Sequence, residues 1–447
     1  MGSSCRPRHL SILMATLVTG LIGTACTTGG GVTTQPAPAP APDEQVTVSV
    51  WSNFAHRELN GLNKVLDGFR AKHPNFTVES QGSQDDDKIT QAIRGGNPPD
   101  VAISFATDFL GQFCSSGAWQ DLGPYLERDA VDLDQIPDAV RDYTQYKGVR
   151  CAMPLLADVY GLYYNKELFD RAGISGPPKT LSELREMAER LTEFNPDGSI
   201  RVAGFVPDLK FYNHRPQMLA PHWGAHWQRA DGTSGLSADP AWREFFTWHK
   251  ELVDFYGRQR LSQFLASAGQ QYSADNAFQQ GKVAMMIDGE YRTAFIDEFT
   301  PDLPYGTAPF PVADDQPDRY GTGYTTGTII GIPRGAKNPG AAWELVSYLT
   351  TDTDALVELA NSIKNVPTTK SALTSPKLSV DENFRTFLEI FAHPRLVSSP
   401  ASPNGGAYVK FTEDFATRYL SGEVSDLDEG LRKLDEQINA HNELSGN

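Results

Sequence analysis

From Gln45 to Phe105 the chain alternates strand and helix periodicities with no hairpin turn between them. Gln45–Trp51 alternates apolar and polar residues, as a half-buried strand does. Glu58–His73 carries Leu59, Leu62, Val65, Leu66 and Phe69 on one helical face and stops at Pro74. Phe76–Glu79 reads as a second strand. Asp85–Ile93 opens a helix whose first turn is acidic, where the helix dipole favours negative charge. Asn97-Pro98-Pro99-Asp100 then turns the chain into a buried strand at Val101–Phe105. Strand-helix-strand-helix-strand implies a mostly parallel sheet with helices on both faces, because parallel neighbours need a crossover. The chain has 447 residues, enough for two or three such domains.

Further along, Glu167–Ala172 reads as a helix, and Thr180-Leu-Ser-Glu183 is a capping-box pattern opening another through Leu191. Asn195–Gly198 is a turn, Trp242–Tyr256 an amphipathic helix and Asn276–Gln280 a short helix. Lys282–Asp288 and Thr328–Ile332 read as buried strands, Tyr305–Pro311 as a proline-punctuated extended run, and Pro339–Leu349 as a helix. From Asp352 onward the pattern is mostly helical. Trp119, Trp242, Trp248 and Trp343 sit on amphipathic patterns and are assigned to the core.

The N-terminus reads as an export signal. Arg6 and Arg8 precede an apolar run, Ser11–Ile22, that is too short to span a bilayer. Leu21-Ile-Gly-Thr-Ala-Cys26 resembles the lipobox of bacterial lipoproteins, with Gly23 where leucine is usual. That resemblance implies a leader over 1–25 and a lipid on Cys26, anchoring the protein to the outer face of the cytoplasmic membrane. Residues 26–45 are Thr/Gly-rich, then Pro-Ala repeats, and are expected to form a flexible tether. Cys5 leaves with the leader and Cys26 takes the lipid, so Cys114 and Cys151 remain in a disulfide-permissive compartment. A bridge between them would stabilise the fold by roughly 3–5 kcal/mol. The net charge is −17, and loss of Arg6 and Arg8 makes the mature chain more acidic still. Such a chain has no polybasic patch for nucleic acid or anionic lipid.

Cys151–Lys166 holds two short apolar runs, Leu155–Ala157 and Leu162–Tyr164, read as two strands. Asp158 and Tyr160 lie between them, two apart and so on one face. A carboxylate accepts hydroxyl hydrogen bonds and a phenol ring covers an apolar C–H face, the two needs of a sugar.

Five stretches together resemble the extracellular solute-binding proteins of bacterial ABC importers, the carbohydrate-binding group that includes maltodextrin-binding protein. They are Val48–Asn53, Asn97–Ala102, Leu162–Leu168 with its Tyr-Tyr-Asn-Lys, Lys282–Gly289, and Gly331–Trp343. The resemblance implies an α/β fold of two lobes, type II-like, with an interlobe ligand cleft and crossover hinge strands. Lobe 1 would comprise 46–156 plus 308–356, and lobe 2 159–305 plus 357–440. Asp158 would lie on the first crossover, and Ala308–Pro311 would form the second. Ligands of open α/β sheets sit outside the carboxyl ends of strands, and closure would be a hinge motion. The resemblance also implies a monomer that hands its ligand to a membrane permease, touching the membrane through its lipid alone.

Candidate ligand contacts follow from these positions. His56 and Arg57 lie on the loop after the first strand, Asp85 and Asp86 at a helix start, and Asp108 and Asp158 at strand ends. Tyr160, Tyr212 with Asn213, Trp223 and Tyr291 offer rings or polar contacts; Trp223 and Trp227, four apart, are expected on one helix face. Asp288 and Glu290 could accept hydroxyls beside Tyr291, Gly323 and Tyr324 precede a strand, and Asn404 and Tyr408 lead into a helix.

No nucleophile elbow, His-Glu-x-x-His, P-loop or calcium-ligand ladder occurs, and Gly321–Gly327 precedes a strand rather than a dinucleotide-binding helix. The expectation is a binding protein without catalysis, cofactor or metal. Asp108 and Asp158 could in principle flank a glycosidic bond, so a secreted glycoside hydrolase stands as one rival. A binder of glycerophosphodiesters or another phosphorylated polyol is a second, with Arg57, Lys210 and Arg215 available, although the acid-rich cleft favours a neutral ligand. A peptide binder is a third.

Overall fold

The computed structural model describes residues 35–208 and 210–444. The leader and the lipidation position at Cys26 lie outside the described residues. Ten strands run in chain order: β1 Val46–Ser52, β2 Phe76–Gln81, β3 Val101–Ser104, β4 Met153–Asn165, β5 Glu193–Phe194, β6 Ile200–Phe205, β7 Val283–Gly289, β8 Tyr305–Ala308, β9 Thr325–Gly331 and β10 Val366–Pro367. They join into one path, β2-β1-β3-β9-β4-β7-β6-β5, with β8 and β10 also paired to β4. β1 is parallel to β2 and β3, as the alternation at the N-terminus requires, and β6 is parallel to β7.

β4 organises the molecule. Where two strands were expected, a single thirteen-residue strand runs through. Its first half pairs with β9 through Met153–Val159; its second half pairs with β7 through Tyr160–Tyr164 and with β8 through Leu162–Asn165. Eleven residues of this strand are apolar, aromatic or small enough to stay extended between layers, so nothing breaks it at Asp158. β4 thus belongs to both lobes of a type II-like α/β architecture.

Beyond β4, packing keeps two later stretches with neighbours other than the expected ones. After β8 the chain stays against second-lobe elements: Val312 N–H donates to Lys179 O (3.1 Å), Ala313 N–H to His222 O (3.2 Å) and Arg319 to Pro221 O (3.1 Å). It crosses at Tyr324–Thr325 instead of Ala308–Pro311, because Phe310 is fully buried against Phe205 and His222. The expected boundary at 356 falls inside the helix Thr353–Ile363. That helix packs on the helix His56–Lys72, where Arg57 donates to Ile363 O (3.3 Å), and β10 pairs with Leu156 and Ala157 of β4. The helix Glu382–Phe391 packs instead on the second half of β4, through Phe387 and Tyr163 (5.6 Å).

Several local expectations change as well. Asn276–Gln280 forms turns, because Asn276 Oδ1 accepts from Phe278 and Gln279 N–H and competes with helix propagation. The short 3-10 helix Ala220–Trp223 ends before Trp227, so the two tryptophans share no helix face. Trp223 packs edge-on against Phe245 and Trp248. The tether is not free along its described length: Ala37 N–H donates to the Tyr125 hydroxyl (3.2 Å) and its carbonyl accepts from Arg128 (2.9 Å). Cys114 and Cys151 form a disulfide. Trp119, Trp242 and Trp343 are buried, whereas Trp248 is only partly buried, its ring packed on Phe205 and Trp223 and its indole N–H donating to Leu181 O (3.2 Å). Among the described residues, no helix is long and apolar enough to cross a membrane.

Candidate functional site

Parallel pairing brings the C-terminal ends of β1 and β3 to one edge, and those of β6 and β7 to another. The middle of β4 and the start of β9 lie between them, with Asp158 opposite Thr326 in register. The loops leaving those ends carry the chemistry.

Asp158 and Glu290 form the centre. The side-chain amide of Asn365 donates to Asp158 Oδ1 and to Glu290 Oε1 (2.9 Å), so one nitrogen bridges two carboxyls. Glu290, fully buried just beyond β7, also accepts from Val159 N–H at 2.6 Å. Burial pushes the Asp158 carboxyl up to about 7, and the nearby Glu58 carboxyl adds to the shift. Burial, then the Asp158 charge, raises Glu290 well above the usual carboxylate range. Two acids this close in a low-dielectric site resist ionising together.

Further acids ring this pair. Glu58, in the first turn of the helix His56–Lys72, is raised by burial, with Arg57 partly offsetting. Asp86 accepts from Asn53 Nδ2 (3.4 Å) and is also raised by burial. Asp108, in the turn after β3, is pushed up to about 6 by burial, against the pull of Arg215. Its Oδ1 is buried with no protein partner. Arg215 lies over the Tyr212 ring at 4.6 Å and pairs with Glu413 at 3.2 Å.

Aromatic rings close the site. Tyr160 is buried, its hydroxyl 3.2 Å from Thr326 Oγ1, while Tyr212 and Tyr291 are half-buried. Tyr272 stands 51% exposed with its ring 6.0 Å from Tyr291; Phe105 and Phe109 expose 37% and 40% on the Asp108 side. Apolar rings left this open beside buried acids suit a ligand with one apolar and one polar face. Arg57 reaches across to lie over Phe295 at 5.2 Å.

The structure thus gathers Arg57, Asp86, Asp108, Asp158, Tyr160, Tyr212, Glu290 and Tyr291. Other expected contacts are committed elsewhere. Asp85 is the helix cap, accepting from Lys88 N–H (2.9 Å). Asp288 is sealed in a buried ion pair with Arg292 (2.6 Å). Asn213 is fully buried and donates to Ile287 O (2.5 Å), and Trp223 belongs to the core. Gly323 is pressed against Ile390, and Tyr324 backs the site with its hydroxyl bonded to Ser399. Asn404 ties its loop to His441 and Asn442, and the Tyr408 hydroxyl donates to Pro400 O (2.7 Å). His56 is exposed at the rim, with φ 46°.

Sequence reasoning missed Glu58, Tyr272, Thr326, Asn365 and Glu413. Glu58 carries the ordinary signal of an acidic helix start, and Asn365 follows Lys364, whose left-handed φ of 60° ends the preceding helix. No periodicity marks a residue aimed by such a turn. Among the described residues no His, Cys, Asp and Glu cluster could hold a metal.

The chain is similar to several known proteins. A maltotriose-binding protein of Pyrococcus abyssi is 22% identical over 394 residues, covering 88% of this chain and 81% of that protein. A mannitol-binding protein of Pseudomonas aeruginosa is 26% identical over 342 residues, covering 72% and 73%. The solved structure of CpMnBP1 with mannotriose bound superposes with TM-score 0.78 at 25% identity, covering 88% of this chain and 100% of that one. The family model described as bacterial extracellular solute-binding protein matches residues 56–355. The chain is therefore a member of the bacterial extracellular solute-binding protein family.

Proposed function

We propose that this protein captures a sugar, an oligosaccharide rather than a single unit, in the cleft around Asp158 and delivers it to the membrane permease of an ABC importer. The observation that carries the reading is the pairing of buried acids, Asp158 and Glu290, with the open rings of Tyr272, Phe105 and Phe109. Acids accept hydroxyl hydrogen bonds, and rings cover the apolar sugar face. The names of the maltotriose- and mannitol-binding relatives and the mannotriose-bound neighbour support the same ligand class. The protein acts by binding and closure, without turnover, as a monomer held at the outer face of the membrane by a lipid on Cys26.

The lobes that fit this reading comprise 46–157 with 325–380, and 159–323 with 382–444, hinged on β4 and on the passages near Tyr324 and Asp381. Phosphodiester binding is disfavoured because both nearby guanidiniums, Arg57 and Arg215, are already engaged among acids.

A thermal-shift screen of the protein against mono- and oligosaccharides, glycerophosphodiesters and short peptides tests the assignment. A saccharide well above its Kd should stabilise by roughly 3–4 kcal/mol, and Asp158→Ala should abolish that shift. Stabilisation by phosphodiesters alone would replace the sugar, and release of reducing ends would restore the hydrolase reading. Mass spectrometry of the membrane-extracted protein checks the lipid: a diacylated Cys26 N-terminus is expected, and an unmodified one refutes the anchor.

A further inference from the structure

We propose that the cleft selects saccharides carrying a protonated amine over their neutral counterparts, an inference that rests on the sugar-binding reading above. Five largely buried carboxyls lie at the candidate site, Glu58, Asp86, Asp108, Asp158 and Glu290, with Asp158 and Glu290 joined through the Asn365 amide. The cations near them are few and committed. Arg57 and His56 act on Glu58, and Arg57 also donates to Ile363 O (3.3 Å) and lies over Phe295. Arg215 is divided between Asp108 and Glu413. Arg292 is closed into its pair with Asp288, and Lys88 lies with Asp85 at the outer rim. Asp86, Asp158 and Glu290 are left with amide and hydroxyl donors but no cation.

Hydroxyl groups of a neutral sugar would donate hydrogen bonds here without supplying a counter-charge. A buried carboxylate without a counter-charge is costly. An ammonium group supplies three donors and a full positive charge in one substituent. Burial raises all five carboxyls by disfavouring their charged forms, a penalty that a ligand cation would offset.

Two further features fit an amine. Asp108 Oδ1 is buried without a protein donor, an acceptor that a ligand must satisfy. The rings of Tyr160, Tyr212, Tyr272 and Tyr291 stand around the acids, and aromatic faces attract cations as well as apolar sugar faces. Arg215 already uses one such face, at 4.6 Å from the Tyr212 centroid.

The test is calorimetric titration of the full chain at low ionic strength and neutral pH. The ligands are glucosamine-, galactosamine- and mannosamine-containing disaccharides, each beside its N-acetylated and hydroxyl counterparts. At least one amine is expected to bind about tenfold or more tightly than its neutral partners, a difference that raising salt to about 0.5 M should shrink. Asp108→Asn should narrow the same preference, and the salt series gives the answer without any variant. Neutral members binding with no amine tighter would overturn this inference and leave the sugar reading intact. No binding by any saccharide would overturn both.

Discussion

Asp158 is held where its function wants it charged and its surroundings want it neutral. Burial lifts it to about 7 and, with the Asp158 charge, raises Glu290 well above the usual carboxylate range, so the folded protein keeps protons that the unfolded chain releases near 4. The folded state binds more protons across that window, so unfolding free energy falls as pH rises from about 4 through 7. The ligand-free protein should therefore lose several degrees of Tm between pH 5 and pH 8. Asp158→Asn should flatten that slope and raise Tm at pH 8; an unchanged slope would show that the pair does not titrate as described. Asn365→Ala should act oppositely, costing roughly 1–3 kcal/mol by stripping two buried acids of their shared donor. A saccharide hydroxyl donating to Asp158 favours the ionised form, so its affinity should climb over the same range.

Among the elements, β4 and β6 set the tolerances. Gly204 of β6 lies so close to the helix Leu181–Leu191 that an added Cβ would sit 1.9 Å from Ala188 O. Strand and helix would have to separate, so Gly204→Ala is expected to cost roughly 1–3 kcal/mol, read as a lower denaturation midpoint. A neutral result would mean that the contact relaxes freely. The Cys114–Cys151 disulfide fastens the helix Leu110–Ser115 to the segment entering β4. Paired serine substitution should cost roughly 3–5 kcal/mol against the oxidised wild type, and reducing the wild type should cost a similar amount. The ladder β1-β2-β3 and the capping box at Thr180 were legible because alternation, helical period and cap chemistry are local. β6 was not, since Ile200–Phe205 is short and carries Gly204, a residue chosen by the helix it meets rather than by its own strand.

For the whole molecule, the two lobes meet closely. Gly111 at the first-lobe rim lies against the loop before the helix Ala407–Ser421, where a Cβ would stand 2.1 Å from Ser402 O. Arg57 over Phe295 bridges the same gap elsewhere. A side chain at Gly111 should hold the cleft ajar. Gly111→Val is expected to enlarge the radius of gyration in small-angle scattering with saccharide present and to weaken binding about tenfold or more, with little change in ligand-free Tm. Unaltered scattering and affinity would show that closure does not pass through this contact.

The sequence by itself determined the α/β alternation, three of the four core tryptophans (Trp248 stays partly exposed) and the cysteine pairing, from local period and elimination among few residues, while the family resemblance put Asp158 on a crossing segment. Tertiary structure decided which polar side chains face the cleft. Asp288 and Glu290, two apart, read alike in sequence, yet Arg292 seals the first while Asn365, from a distant turn, joins the second to Asp158. Tertiary packing also decided where the chain changes lobes, because Phe310 and the helix Thr353–Ile363 follow whichever neighbours bury them. Burial partners, charge compensation and shared donors are relations between distant residues, and no local pattern records them.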